Sequence, residues 1–322
     1  MVVDKSDMLS VLDNFPAQCK HALTLPEGIT IPQGTTSVVV IGMGGSGIGG
    51  DLLKTYAGTT ALPIFVVRDY RVPNFVDEYS AVFSCSYSGN TEETLAATED
   101  AASKGAKIIG ITSGGKLSKI VDRVILVPSG LQPRAALGYM FFPMVGVLYN
   151  SGLLEVSNES LNEMMALLKN QAPIKKEAEQ IASFIHGKLP IIYASEAFGP
   201  VALRWKTQIN ENAKLPAFSS TFSEMNHNEI CAYTHVERDL FAPVLLRNPR
   251  DNPRIKKRMD ITKGIMEQRT KVYDLEIKGN SLLARLFYAV YVGDYASYFL
   301  ALKDRTDPTP VDVIEALKKE LV

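Results

Sequence analysis

Two short loops hold the residue types best suited to gripping a small anion. The first, Gly42-Met43-Gly44-Gly45-Ser46-Gly47, follows the apolar run 37–41, and the second, Ser86-Tyr87-Ser88-Gly89-Asn90-Thr91, follows Ala81-Val82-Phe83. Glycine after a strand lets the backbone approach a ligand closely, and a helix opening there offers unpaired N–H groups and a partial positive charge. In the second loop Ser86, Ser88 and Thr91 add hydroxyls, while Gly89, Asn90 and Thr91 offer backbone N–H groups. Part of this loop also fits a helix cap, with Asn90 and Glu93 as the capping pair. A cap needs one such side chain, whereas a phosphate uses several donors at once. The loops therefore predict a phosphate site, with Gly45, Ser46, Ser86, Ser88 and Thr91 as its candidate residues. A competing reading stays open: Gly42-x-Gly44-x-x-Gly47 fits a dinucleotide fingerprint with Asp69 as the ribose-binding acid, which would make the chain a nicotinamide-dependent dehydrogenase.

Such loops need strands to end on and helices to open. Strand-like runs fall at 37–41, 64–67, 81–85, 107–111 and 123–127, with helical patterns at 48–56 and 91–104. Continuous Val/Ile runs separated by helices predict a parallel sheet covered on both faces. Residues 135–149 read as a buried helix, and the polar, helix-favouring stretch 157–185 reads as a bridge between domains. A second series follows, with strands at 191–194, 242–246 and 271–275 and helices at 198–214, 254–267 and 281–302. Asp307-Pro308-Thr309-Pro310 supplies a cap and a proline at the first position of a last helix, whose apolar stripe is Val311, Ile314, Leu317 and Leu321. The expected fold is α/β: two doubly wound, three-layer α/β/α domains with parallel sheets, at 1–153 and 154–322.

The bulk numbers exclude several classes of partner. The 322 residues are 46% hydrophobic and 21% charged, with a formal net charge of −1, so nothing draws the whole chain to nucleic acid or an acidic membrane. The densest basic stretch, Arg247, Arg250, Arg254, Lys256, Lys257 and Arg258, has no interleaved aromatic platform and reads as a solvated helix face. Cys19, Cys85 and Cys231 give neither a disulfide framework nor zinc spacing and fit a reducing cytosol. The start, Met1-Val2-Val3-Asp4-Lys5, lacks signal-peptide regions, and the longest apolar run, 135–149, is too short to span a bilayer. A soluble cytoplasmic protein is expected.

The hydroxyl loop resembles the phosphosugar-binding signature of sugar isomerase domains. A wider set of segments is similar, in order along the chain, to the bifunctional phosphoglucose/phosphomannose isomerases of archaea. These are Gly42–Asp51, Pro133-Arg134-Ala135, Asn210-Glu211-Asn212-Ala213-Lys214, Asn226-His227-Asn228-Glu229 and Asp307-Pro308-Thr309-Pro310. The resemblance implies two sugar isomerase domains, a homodimer, and interconversion of aldose and ketose 6-phosphates with neither metal nor nucleotide cofactor. Such isomerisation moves a proton between C1 and C2 through a cis-enediol, so one carboxylate acts as base and then as acid. The resemblance gives that role to Glu211, although spacing alone favours a surface salt pair with Lys214; the nearby helix end is expected to nudge its basicity upward. It gives His227 and Lys303 to ring opening and sets Arg134 beside the enediolate oxygen. Glu224, His227, Glu229, His235 and Glu237 invite a metal reading, but they form no His-x-His pair and no glutamate flanked by histidines at one-turn spacing. A non-catalytic sugar-phosphate sensor is the third reading. Glu211 and His227 weigh against the sensor, and the hydroxyl loop weighs against the dehydrogenase.

Overall fold

Short strands rich in Val, Ile and Phe make the first sheet, and helices cover both of its faces. The computed structural model describes residues 2–58, 62–235 and 240–321, so Glu237 of the acidic and histidine-bearing stretch lies outside the described residues. The elements in chain order are α1 (Met8–Asp13), α2 (Phe15–Ala22), β1 (Ser37–Ile41), α3 (Gly44–Tyr56), β2 (Ile64–Val67), β3 (Ser80–Cys85) and α4 (Glu92–Ser103). Next come β4 (Lys107–Thr112), α5 (Leu117–Ile120), β5 (Val124–Leu126), α6 (Leu137–Asn150), α7 (Asn158–Lys169) and α8 (Gln171–Ile185). The rest are β6 (Leu189–Ser195), α9 (Gly199–Gln208), β7 (Phe218–Phe222), β8 (Phe241–Arg247), α10 (Pro253–Met266), β9 (Tyr273–Glu276), α11 (Leu282–Lys303) and α12 (Asp312–Glu320). The chain divides into two compact units, Asn14–Asn162 and a second made of Glu163–Val322 with Met1–Asp13.

In the first unit the sheet runs β2-β1-β3-β4-β5, every pair parallel. Side chains alternate across a strand. Val39, Ile41 and Val82 pack with Ala97 and Ala101 of α4, while Val40 on the other face lies against Gly50 of α3. That is a three-layer sandwich. Strand order reverses between β1 and β3, so the loops leaving these two strands lie side by side at the carboxyl edge. Those are the glycine loop and the hydroxyl loop.

The second unit repeats the plan with a parallel sheet ordered β7-β6-β8-β9. Ile191, Tyr193 and Leu245 meet Met259 and Met266 of α10 on one face, and α9, α11 and α8 stack on the other. Nearly every residue of α11 is buried, in keeping with its mostly apolar sequence. No helix among the described residues is long and apolar enough to cross a membrane.

Several details differ from the sequence reading. The stretch 157–185 is two helices, and α8 packs inside the second unit through Ile174, Ala178, Ile181, Ala182 and Ile185. Helix α3 starts at Gly44, not at 48, because close contacts outweigh the poor helix propensity of glycine. Strand β7 was not expected; Phe-Ser-Ser-Thr-Phe is a half-exposed edge strand with no continuous apolar run. Helix α12 begins after Val311, so Pro310 precedes it, and none of its residues is buried.

Candidate active site

One hydrogen bond joins the two loops of the first unit, and another closes the second loop on itself. The Tyr87 N–H donates to Ser46 Oγ at 3.3 Å, and the Ser86 and Thr91 hydroxyls are 3.0 Å apart. Ser46 and Ser86 are buried, while Ser88 is exposed. Thr91, not Asn90, is the N-cap of α4, and its side chain makes no capping bond. Asn90 instead accepts from the Lys116 N–H at 3.0 Å, so the expected Asn90–Glu93 pair does not form. The Gly89 and Asn90 N–H groups, expected to face a phosphate, donate to Ser86 Oγ at 3.1 Å and Ser88 Oγ at 3.3 Å. The cause is the tight turn at Gly89, whose φ of +69° and approach to Gly114 only glycine allows. What remains is a cluster of hydroxyls beside the uncapped start of a twelve-residue helix, an arrangement that suits an anion.

Arg134 lies beside the glycine loop. It is buried, on the 3-10 turn Pro133–Ala135, and a Cβ on Gly45 would sit 2.9 Å from its Cα. Glycine at 45 is thus what lets the opening turn of α3 lie against the Arg134 backbone. Gly42, Gly47 and Gly49 serve likewise, against the carbonyls of Cys85, Gly42 and Met140, while Gly44 meets no such neighbour and instead adopts φ +49°. Close contacts at Gly42 and Gly47 and the positive φ at Gly44 account for the G-x-G-x-x-G spacing without a nucleotide.

In the second unit α9 does not stop at Gln208 but continues as a π turn, Ile209–Ala213, ending at Lys214 in the left-handed conformation with φ +58°. Single π turns often mark functional sites, and a non-glycine residue at positive φ costs on the order of 1–3 kcal/mol. Glu211 rides on this turn, half-buried. The Lys214 ammonium holds the turn by donating to the carbonyls of Glu211 (2.7 Å), Asn212 (3.2 Å), Asp307 (3.0 Å) and Pro308 (3.1 Å). It thereby ties Glu211 to the segment after Lys303. Asn210, Glu211, Lys214, Pro310, Val311 and Ile314 line a cavity of about 390 Å³.

Beneath the turn lies a polar ladder that spacing alone did not reveal. Arg204 pairs with Asp294 through two bonds, Nε to Oδ1 at 2.9 Å and Nη2 to Oδ2 at 2.8 Å, and Gln208 donates to the same carboxylate at 2.9 Å. One turn on, Asn212 donates to Ser297 Oγ at 2.9 Å. Burial pushes the Asp294 carboxyl up, and the Arg204 guanidinium draws it back. The available signal was the spacing of 204, 208 and 212 on one helix against 294 and 297 on another.

His227 and Lys303 stand on other elements of this unit. His227 is exposed at the end of the 3-10 turn Glu224–His227, and Lys303 is the exposed last residue of α11. Among the described residues no group of three His, Cys, Asp or Glu could hold a metal ion.

The model of the bacterial phospho-glucose isomerase C-terminal SIS domain matches residues 174–321. The chain is 42% identical to the bifunctional phosphoglucose/phosphomannose isomerase of Caldicellulosiruptor bescii, over 98% of each chain. It is 39% identical to the D-glucosamine-6-phosphate 4-epimerase of Sulfolobus acidocaldarius, over 65% of this chain and 68% of that one. Among solved structures, the C-terminal domain of glucosamine-fructose-6-phosphate aminotransferase from Francisella tularensis shares the fold, with a TM-score of 0.73 at 18% identity over 94% of this chain and 98% of that one.

Proposed function

The chain belongs to the bifunctional phosphoglucose/phosphomannose isomerase family and is an aldose–ketose isomerase, and we propose that it interconverts glucose 6-phosphate and mannose 6-phosphate with fructose 6-phosphate. The observation that carries this is the likeness to one such isomerase along 98% of the chain.

In this reading Ser46, Ser86, Ser88 and Thr91 hold the phosphate, with the start of α4 and Gly45 giving it room. His227 and Lys303 move the proton that opens the sugar ring. Glu211 then takes a proton from C1 or C2 and returns it to the other carbon, while Arg134 stabilises the negative oxygen of the enediolate. The enediol is planar, so a proton delivered to either face of C2 yields glucose or mannose 6-phosphate. The enzyme works in the cytoplasm as a homodimer, which sedimentation at micromolar concentration tests. The direct test of the reaction is to incubate the purified protein with fructose 6-phosphate, a chelator and no nucleotide. Both aldose phosphates should appear. No conversion, or conversion only after metal or NAD is added, would contradict the reading.

A further inference from the structure

A ring-opening histidine must be held to within a fraction of an ångström, yet His227 stands on weak local structure. It closes the 3-10 turn Glu224–His227 and is followed by another, Glu229–Thr234. Such turns have poor hydrogen-bond geometry and rarely hold a position unaided. Here they are tethered on both sides of the histidine. Upstream, Met225 is buried in the core and Asn226 Nδ2 donates to Thr262 Oγ1 of α10 at 2.8 Å. Across the junction, the Asn228 side chain accepts from the Glu229 N–H and donates to Glu224 Oε1, each at 2.6 Å.

The downstream tether reaches into the sheet. Tyr193, on β6 and fully buried, donates its hydroxyl to the Glu229 carboxylate and lies 2.8 Å from the Tyr233 hydroxyl. A phenol has one proton to give, so Tyr233 donates to Tyr193 and Tyr193 to Glu229. Burial pushes the Tyr193 phenol far up and the Tyr233 phenol to about 12, so the chain of donors is intact at any working pH. A tyrosine inside a core of aliphatic and aromatic neighbours is costly unless its hydroxyl is used. Its use here is to fix a carboxylate two residues from His227.

We propose that Tyr193 and Glu229 are positioning residues that hold His227 in place for ring opening. The role rests on the isomerase reading above. It makes a demand that ordinary structural support does not: the tether should matter for a cyclic substrate and not for one that is already open. Fructose 6-phosphate closes its ring through the C5 hydroxyl, so 5-deoxyfructose 6-phosphate stays open.

The test compares kcat/KM for both ketose phosphates in the intact enzyme and in Tyr193→Phe, Glu229→Gln, Glu229→Ala and His227→Ala. Small misplacement of a reacting group costs up to about 100-fold. Tyr193→Phe and Glu229→Ala should lower kcat/KM for fructose 6-phosphate by about 10- to 100-fold, mostly in kcat, and leave the 5-deoxy substrate within about twofold. Glu229→Gln, whose amide oxygen still accepts from Tyr193, should recover most of the loss seen in Glu229→Ala. Equal losses on both substrates, or no loss on either, would overturn the positioning role even though His227→Ala remained selective. If His227→Ala showed no selectivity for the cyclic substrate, the ring-opening role of His227 would fail, and the proposal with it. An intact enzyme inactive on fructose 6-phosphate would mark failure of the isomerase reading itself.

Discussion

Glu211 sits on irregular backbone, a π turn closed by a left-handed lysine, and Lys214 offsets that strain by binding four carbonyls. Residues of the hydroxyl cluster are more conventionally placed and easier to test. In the double variant Ser86→Ala/Thr91→Ala, affinity for fructose 6-phosphate and for inorganic phosphate should fall together, since a hydrogen bond to a charged group is worth about 1.5–3 kcal/mol. Isothermal titration with each ligand checks this, and unchanged phosphate affinity would remove the loop from the site. Gly45→Ala tests the close approach beside Arg134. The new methyl meets backbone at 2.9 and 3.0 Å, so something must shift, at a cost of about 1–3 kcal/mol. A melting temperature equal to that of the unaltered protein would show that the approach is looser than described.

At the scale of elements, the ladder between α9 and α11 fixes the turn that carries Glu211. Arg204→Met leaves the buried Asp294 carboxylate without its guanidinium and should destabilise the fold by about 3–5 kcal/mol in urea unfolding. A second element-scale effect depends on pH. Burial raises the Asp274 carboxyl on β9, but hydrogen bonds from Arg247 and Lys263 outweigh it and hold the carboxyl below its ordinary value. Its contribution to stability is therefore full above the ordinary carboxylate range near pH 4 and is lost as pH falls through the lowered value. Asp274→Asn should be less stable than the parent at pH 6, and the gap should narrow as the pH drops below about 4; a gap independent of pH would contradict this. Much of this architecture was legible in the residues. Strands β1, β3 and β4 are rich in Val, Ile, Phe and Ala and buried along most of their length, and helix α11 is mostly apolar. Strand β7 was not legible, since Ser219, Ser220 and Thr221 are half-exposed on an edge strand. The π turn was hidden because Ile-Asn-Glu-Asn-Ala carries no signal separating i→i+5 from i→i+4 bonding. The hydroxyl cluster was readable as residue types in a loop, but the inward use of the Gly89 and Asn90 amides depends on backbone angles that no spacing encodes.

At the scale of the whole molecule, the hydroxyl cluster and the glutamate belong to different units, each with its own sheet and core. Binding and turnover should therefore be separable by substitution. Fructose 6-phosphate at 100 times its dissociation constant stabilises the folded state by about 2.7 kcal/mol, and Glu211→Gln should keep that rise in melting temperature while Ser86→Ala/Thr91→Ala loses it. NAD should produce no rise in either. Whether Glu211 carries a proton between C1 and C2 is read by following fructose 6-phosphate in deuterium oxide by NMR with the intact enzyme and with Glu211→Gln. The intact enzyme should place deuterium at C2 of both glucose 6-phosphate and mannose 6-phosphate, because a carboxylate exchanges its proton with solvent during some turnovers. The Gln variant should form both products about 10²–10⁴-fold more slowly. Near-normal turnover by the variant, or full retention of protium at C2 in both products, would contradict the account.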